Sequence, residues 1–435
     1  RVAESTQGAF LVAGLPTAAL GERVVGRTAR GAPLAGEVVA LAPRGVLVLP
    51  EGEAAGLSIG CEVELAGPVT IAPDDHWLGR VVDPLGRPLD GRPLMRGRSS
   101  RPLTGRPPPA AERRGFGPRL ATTMAVFDTL LPLVRGQRIG LFAGSGVGKS
   151  ALLARFARGV TADVVVLALV GERGRELNDF TTRVLGPEGM ARSVVVAATS
   201  DQSPLMRRRC ALAAMAVAEH FRDQGRQVLL LVDSVTRLAE AHREVALAAG
   251  EQPSLRGYPP STAPAIMGLA ERAGPGTGKA GDITAVLTVL VAGSDMEEPV
   301  ADIIRGTLDG HVVLDRQIAE RGRYPAIDLL RSVSRSLPEA ASVAENARIT
   351  DARRVLSAWA RAEMMVQAGL YTPGSDAEVD RAIRLWPALD AFLAEETPPG
   401  GPKAAFARLA QILRPVAGSG VAGSAGHATA EKGGH

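Results

Sequence analysis

The stretch "RIGLFAGSGVGKSALLARF", residues 138–156, decides how the rest of the chain is read. An apolar run leads into a glycine-crowded turn ending in Lys149 and Ser150, and apolar residues at helical spacing follow at once. Strand, glycine turn and helix in that order are what a phosphate-binding loop requires. Glycines let successive backbone N–H groups turn inward, and the helix start adds its positive end. Gly144, Ser145, Gly146, Val147, Gly148 and Ala151 are therefore expected to wrap a polyphosphate, with Lys149 reaching its β- and γ-phosphates and the Ser150 hydroxyl on Mg²⁺. The first position of the usual G-x-x-x-x-G-K-[ST] pattern is Ala143. An extended backbone at a strand end suits alanine there.

Two further apolar runs end in charge. "QVLLLVDSVTR" ends its run in Asp233, a carboxylate expected at the C-terminal edge of a neighbouring parallel strand, where it can hold a Mg²⁺ water. Arg237, four residues on, reads equally well as a surface arginine. In "VVVLALVGERGRELNDF", Glu172 follows a strand that should end at the same sheet edge as the glycine turn. A carboxylate there can polarise a water lined up on a γ-phosphate, and Arg173 can steady the phosphoryl charge.

From Gly136 onward such continuous apolar strands alternate with helical patterns, which predicts an α/β fold with a parallel sheet covered on both faces. Residues 8–72 run instead in short β-type bursts, "AFLVAGL", "GEVVALA", "GVLVLP" and "CEVELAG", expected to form a small β-barrel. After residue 346 only helical patterns remain. The division expected is a barrel over 1–78, a nucleotide-binding domain over 79–345 with a connector at 79–119, a helical domain over 346–417, and a disordered tail over 418–435. In "EVDRAIRLWPALDAFLAEE" the positions Val379, Ile383, Trp386, Leu389 and Leu393 share one helix face. Ser375 with Glu378 reads as its capping box, Pro387 as a kink or break, and Trp386 and the Met364–Met365 pair as core.

Composition narrows the classes. The chain has 435 residues, 46% of them apolar and 22% charged, a globular balance. Its two cysteines, Cys61 and Cys210, offer neither a disulfide frame nor a metal site. No apolar run nears membrane-spanning length and "RVAESTQGAFLVAG" lacks the layout of a signal peptide, so a cytoplasmic protein is expected. Residues 96–119 carry seven Arg and one Glu within a Pro- and Gly-rich stretch, read as a solvated connector or a contact for an acidic partner or membrane surface.

The motifs "LFAGSGVGKS", "GERGRE", "LLLVDSVTR", "RGYPPS", "ADIIRGTLDGHVVLDR", "RYPAID" and "SVSR" come in the order found in the rotary ATP synthase and type III export ATPase family. The resemblance spans roughly residues 8–415. Within the family, "ATSDQSPLMRRR" and the compact barrel look most like the flagellar protein-export branch, with the virulence-injectisome branch as the alternative. The resemblance implies a RecA-like P-loop domain, ATP and Mg²⁺ as ligands, and a homohexamer with nucleotide between neighbours. It implies Glu172 as the catalytic glutamate, with Lys149 and Ser150 on phosphate and magnesium, Asp233 on the metal and Arg173 on the γ-phosphate. Tyr324 in "RYPAID" falls where an aromatic ring packs on adenine, Arg335 in "SVSR" at the arginine finger given by the next subunit, and Tyr371 at a second base contact. Stator or regulator proteins of the export apparatus, stalk-like proteins, export substrates and chaperones are the partners implied, at the inner face of the cell membrane. The sequence departs from the family pattern at Ala143, at Asp282, and in "AGSDMEEP". A hexameric RNA helicase shares the core but needs stacking aromatics, and residues 1–75 hold only Phe10 and nine acidic against five basic residues. A non-catalytic ring subunit would lack a carboxylate at Glu172.

Overall fold

The computed structural model describes residues 1–6, 8–291 and 296–414. Six short strands open the chain: β1 (Val2–Thr6), β2 (Ala9–Val12), β3 (Glu22–Arg27), β4 (Pro33–Ala42), β5 (Gly45–Pro50) and β6 (Val63–Pro68). They pair antiparallel in the order β1-β2-β5-β4-β3-β6. Val2 closes the ring, donating to Cys61 O and accepting from Gly60 N just ahead of β6. The β-rich region thus begins at residue 2, not 8, and includes β1 and β3, whose polar residues hide the strand pattern. The barrel core is Val2, Phe10, Val12, Val24, Leu34, Val38, Val46 and Val48.

The connector is part of the second unit. β7 (Thr70–Ile71) pairs with β9 (Arg101–Pro102), and between them β8 (Arg80–Val82) joins the large central sheet beside β12 (Ser193–Thr199). That sheet adds β10 (Arg138–Ala143), β11 (Val164–Glu172), β13 (Val228–Asp233), β14 (Ile283–Leu290), β15 (Gly310–Leu314) and β16 (Ile327–Ser334), in the order β16-β15-β10-β14-β13-β11-β12-β8. Only the edge strand β16 is antiparallel. Helices cover both faces, as strands that are apolar on both sides demand. The arginines at 96–119 are not all left to solvent. Arg113 bonds the Glu271 carbonyl, Arg114 bonds Asp282 at 2.7 Å, and Arg119 bonds Glu345 and the Ala340 carbonyl. Arg101 pairs with Asp223. Asp282 also accepts from Gly276 N at 3.0 Å, so this departure from the family pattern fastens the connector at the sheet edge away from the glycine turn.

Barrel and sheet meet through buried charge. Arg209, 1% exposed, bonds Glu37 of β4 at 2.7 Å and Glu51 at 2.6 Å; Arg208 also reaches Glu37, and Arg23 holds Glu51 at 2.7 Å. Burying carboxylates and guanidiniums is tolerable only with such mutual pairing.

Three helices end the described chain: Val343–Gln367, Ala377–Phe392 and Pro402–Leu413. The capping box lies at Ser342 and Glu345 on the first of them. On the second, Asp376 is the cap, accepting from Glu378 N and Val379 N, while Ser375 Oγ turns back to the Thr372 carbonyl. An aspartate one residue closer outcompetes the serine. Pro387 does not break this helix, because Val379, Ala382, Leu389 and Phe392 keep its face buried across it. Trp386 stacks on Trp359 with centroids 4.7 Å apart. Met364 and Met365, expected in the core, are instead 82% and 48% exposed near the end of the long helix. The tail at 418–435 and positions 292–295 of "AGSDMEEP" lie outside the described residues.

Candidate active site

Strand β10 is buried to its last residue, Ala143, which sits in the sheet with extended backbone; the missing glycine costs nothing there. The turn follows. Gly146 and Gly148 take φ of 78° and 88°, values that a side chain resists. Gly148 is doubly constrained, since a Cβ on it would come within 3.1 Å of the Tyr324 ring. Val147 points into the core and anchors the loop. The helix Lys149–Gly159 starts at once, its Leu152, Leu153 and Phe156 buried beneath. Gly144, Ser145, Gly146, Ser150 and Ala151 thus line one end of an open cleft of about 1740 Å³. Free N–H groups at a helix start facing such a cleft suit an anion.

Asp233 ends β13 at the same edge and is 4% exposed. One strand, β14, lies between it and the loop strand, so the carboxylate is not on the neighbouring strand as the sequence suggested. Lys149 reaches across, its Nζ donating to Asp233 Oδ1. Thr288 of β14 donates to the same oxygen at 2.9 Å. A buried carboxylate bonded to Lys149, the residue before the exposed Ser150 hydroxyl, supplies the hard oxygen chemistry that Mg²⁺ takes through its waters.

Glu172 is turned out of β11 by a register shift at Gly171, whose φ is 70°. It lines the cleft with Arg173 and Glu176. Burial, a hydrogen bond to Glu176 and the charge of Asp233 push its carboxyl up to about 7, against the pull of Lys149. A carboxylate with that proton affinity is well matched to taking a proton from water near neutral pH. The sign follows. Below 7 the group is protonated and cannot act as a base, so kcat/KM for ATP should rise with pH through about 7. Replacing Glu176 with Ala removes two raising influences, its hydrogen bond and its negative charge, and should move that rise to lower pH. A rate–pH profile of the two proteins checks this; coincident profiles would detach Glu172 from the rate.

Arg173 projects into solvent at the cleft mouth, 3.9 Å from Glu176. Arg237 lines the cleft as well, paired with Glu240 at 3.0 Å. Tyr324, half exposed, lies against Gly148 at the loop's outer side. Arg335 is not brought to this cleft. It follows β16, whose Ile327 pairs with Leu314 at the loop edge and whose Ser334 pairs with Gly310. Four residues of strand, about 13 Å, separate those levels. Arg335 is exposed at the far edge, touching the Arg305 carbonyl at 3.4 Å. Tyr371 spends its hydroxyl on Asp380 and the Asp376 carbonyl, 3.0 Å each. Sequence reasoning missed Thr288, Glu176, Arg207 and Gln317 around the cleft. For Thr288 there was a signal, a hydroxyl inside the otherwise apolar "AVLTVL".

Comparison with known proteins agrees with this architecture. Residues 123–334 match the nucleotide-binding domain of the ATP synthase alpha/beta family, and residues 342–398 match the C-terminal domain of the type III secretion ATPase EscN. The flagellum-specific ATP synthase of Caulobacter vibrioides is 45% identical over 390 residues, 88% of each chain. The type 3 secretion system ATPase of Sinorhizobium fredii is 44% identical over 390 residues, 89% of this chain and 86% of that one. Assembled EscN of enteropathogenic E. coli, solved with its central stalk EscO, superposes with a TM-score of 0.86 at 35% identity over 95% of this chain and 99% of that one. The chain belongs to the ATP synthase alpha/beta family, among its flagellum-specific and type 3 secretion members, and is an ATP-hydrolysing enzyme.

Proposed function

We propose that the chain works as a homohexameric, Mg²⁺-dependent ATPase that energises flagellar protein export. The observation that carries the assembly is the split of the candidate groups between two edges of one sheet. Lys149, Ser150, Glu172 and Asp233 gather at the loop edge, while Arg335 stands exposed at the other. Head-to-tail packing of identical subunits presents one edge to the next and closes into a ring. Arg335 then meets the γ-phosphate held by a neighbour. Within the cleft, Lys149 and the loop N–H groups hold the phosphates, and Arg173 and Arg237 border the γ-end. Tyr324 offers its face to the base. Ser150 and Asp233 hold the metal, which supplies charge neutralisation at the β- and γ-oxygens when bound. Glu172 orients the attacking water and takes its proton.

The names of the similar proteins support export as the work performed, and EscN's complex with a central stalk supports a stalk-like partner here. Stator proteins, chaperones and a place at the inner membrane face belong to the same reading. Among the described residues no helix is long and apolar enough to cross a membrane. Phe10, the one aromatic before residue 76, is buried in the barrel, so the barrel offers no stacking platform for RNA. The injectisome reading is the alternative, favoured by the 44% identity to a type 3 secretion ATPase and by the matches to EscN in its C-terminal domain and in the assembled structure. The test is secretion of filament protein by flagellated cells whose own export ATPase is deleted. The chain should restore it and Lys149→Ala should not. Restoration of injectisome secretion alone would transfer the role to that system.

A further inference from the structure

Thr288 is 0% exposed two residues from the end of β14, among Ala285, Val286, Leu287 and Val289, all buried. A threonine in such a layer keeps a hydroxyl that valine would spare it from satisfying. Its donor goes to Asp233 Oδ1 at 2.9 Å, the oxygen that also receives Lys149 Nζ. The two donors differ in freedom. Lys149 sits at the end of a flexible side chain beside the cleft, whereas a β-branched residue in a central strand is stiff. Asp233 is 4% exposed, so water cannot readily replace a lost donor.

We infer that Thr288 is a positioning residue, whose hydroxyl holds the Asp233 carboxylate in place when Lys149 leaves it for phosphate. This rests on the reading of Asp233 as a metal carboxylate. The lysine is required by the nucleotide, because a P-loop lysine reaches the β- and γ-phosphates. On that exchange Oδ1 loses its charged donor just as the carboxylate must keep one fixed orientation. Thr288 is the donor that does not move. Its hydroxyl is therefore tied to metal-dependent nucleotide binding, not to the fold alone.

The test measures binding of a non-hydrolysable ATP analogue to the full chain by calorimetry, with Mg²⁺ and with EDTA. Thr288→Val keeps shape and β-branching and removes only the donor. It should bind the analogue normally in EDTA and lose about 10-fold or more of the gain from Mg²⁺, the scale of a hydrogen bond to a charged group. Thr288→Ser, which keeps the hydroxyl, should recover most of that gain. The pair Thr288→Ser and Thr288→Ala repeats the comparison in a smaller side chain, should the valine variant fold poorly. Equal Mg²⁺ gains in all variants, with Asp233→Asn having lost its gain, would reduce Thr288 to a space-filler. Were Asp233→Asn to keep the full gain, the metal reading of Asp233 would fall and the inference with it.

Discussion

Glu172→Gln should bind ATP as the unaltered chain does and hydrolyse it on the order of 10²–10⁴-fold more slowly, the range of a positioned catalytic base. The amide keeps the shape and the hydrogen bond to Glu176 but has no basic lone pair for the proton of water. Burial and the acidic neighbours raise the proton affinity of the native carboxyl to about 7, and that property vanishes with the substitution. Single-turnover hydrolysis alongside equilibrium binding separates the two effects. Loss of binding together with rate would assign Glu172 to the fold of the cleft mouth.

Arg335→Ala has the larger expected effect. Charge spreads over the equatorial oxygens of the transferring phosphoryl group, and an arginine supplied to it is worth about 10³–10⁵ in rate. The side chain is exposed and, among the described residues, holds only a long hydrogen bond to the Arg305 carbonyl, so truncation should leave the folded subunit intact. Binding of ATP should change little, because the loop, Lys149 and Tyr324 lie at the other edge of the sheet. Measured turnover close to the native rate would return Arg335 to a surface role.

How much of this was legible in the sequence depended on the kind of contact. The glycine turn, Glu172 and Asp233 were readable because each ends an apolar run, and parallel strands deliver such ends to one edge. That β14 intervenes between Lys149 and Asp233 was not, since strand order comes from packing among distant segments. The Met364–Met365 pair shows another limit. Helical spacing marks an apolar residue but not whether a neighbour covers it, and these two face outward on a turn whose Ala362 is buried. Arg101, Arg113, Arg114 and Arg119 of the basic stretch looked solvated because their acceptors are carbonyls and carboxylates more than a hundred residues away. Asp282 looked like an anomaly until Arg114 was found against it. Ser375 lost the cap to Asp376 by a difference of one residue, which local pattern cannot rank.

The split of the site between two subunits is tested most directly by mixing two inactive proteins. Glu172→Gln retains Arg335, and Arg335→Ala retains Glu172. In a ring of both, an interface that takes Glu172 from one subunit and Arg335 from its neighbour is intact. With random exchange at equal amounts, about a quarter of interfaces should be of this kind in a head-to-tail ring. ATPase rate against mixing ratio, after subunits have exchanged, should therefore rise from near zero at both ends to a maximum at equal amounts. A flat profile, with mixed rings shown to form, would contradict the account and place Arg335 in its own subunit's chemistry or outside the chemistry altogether.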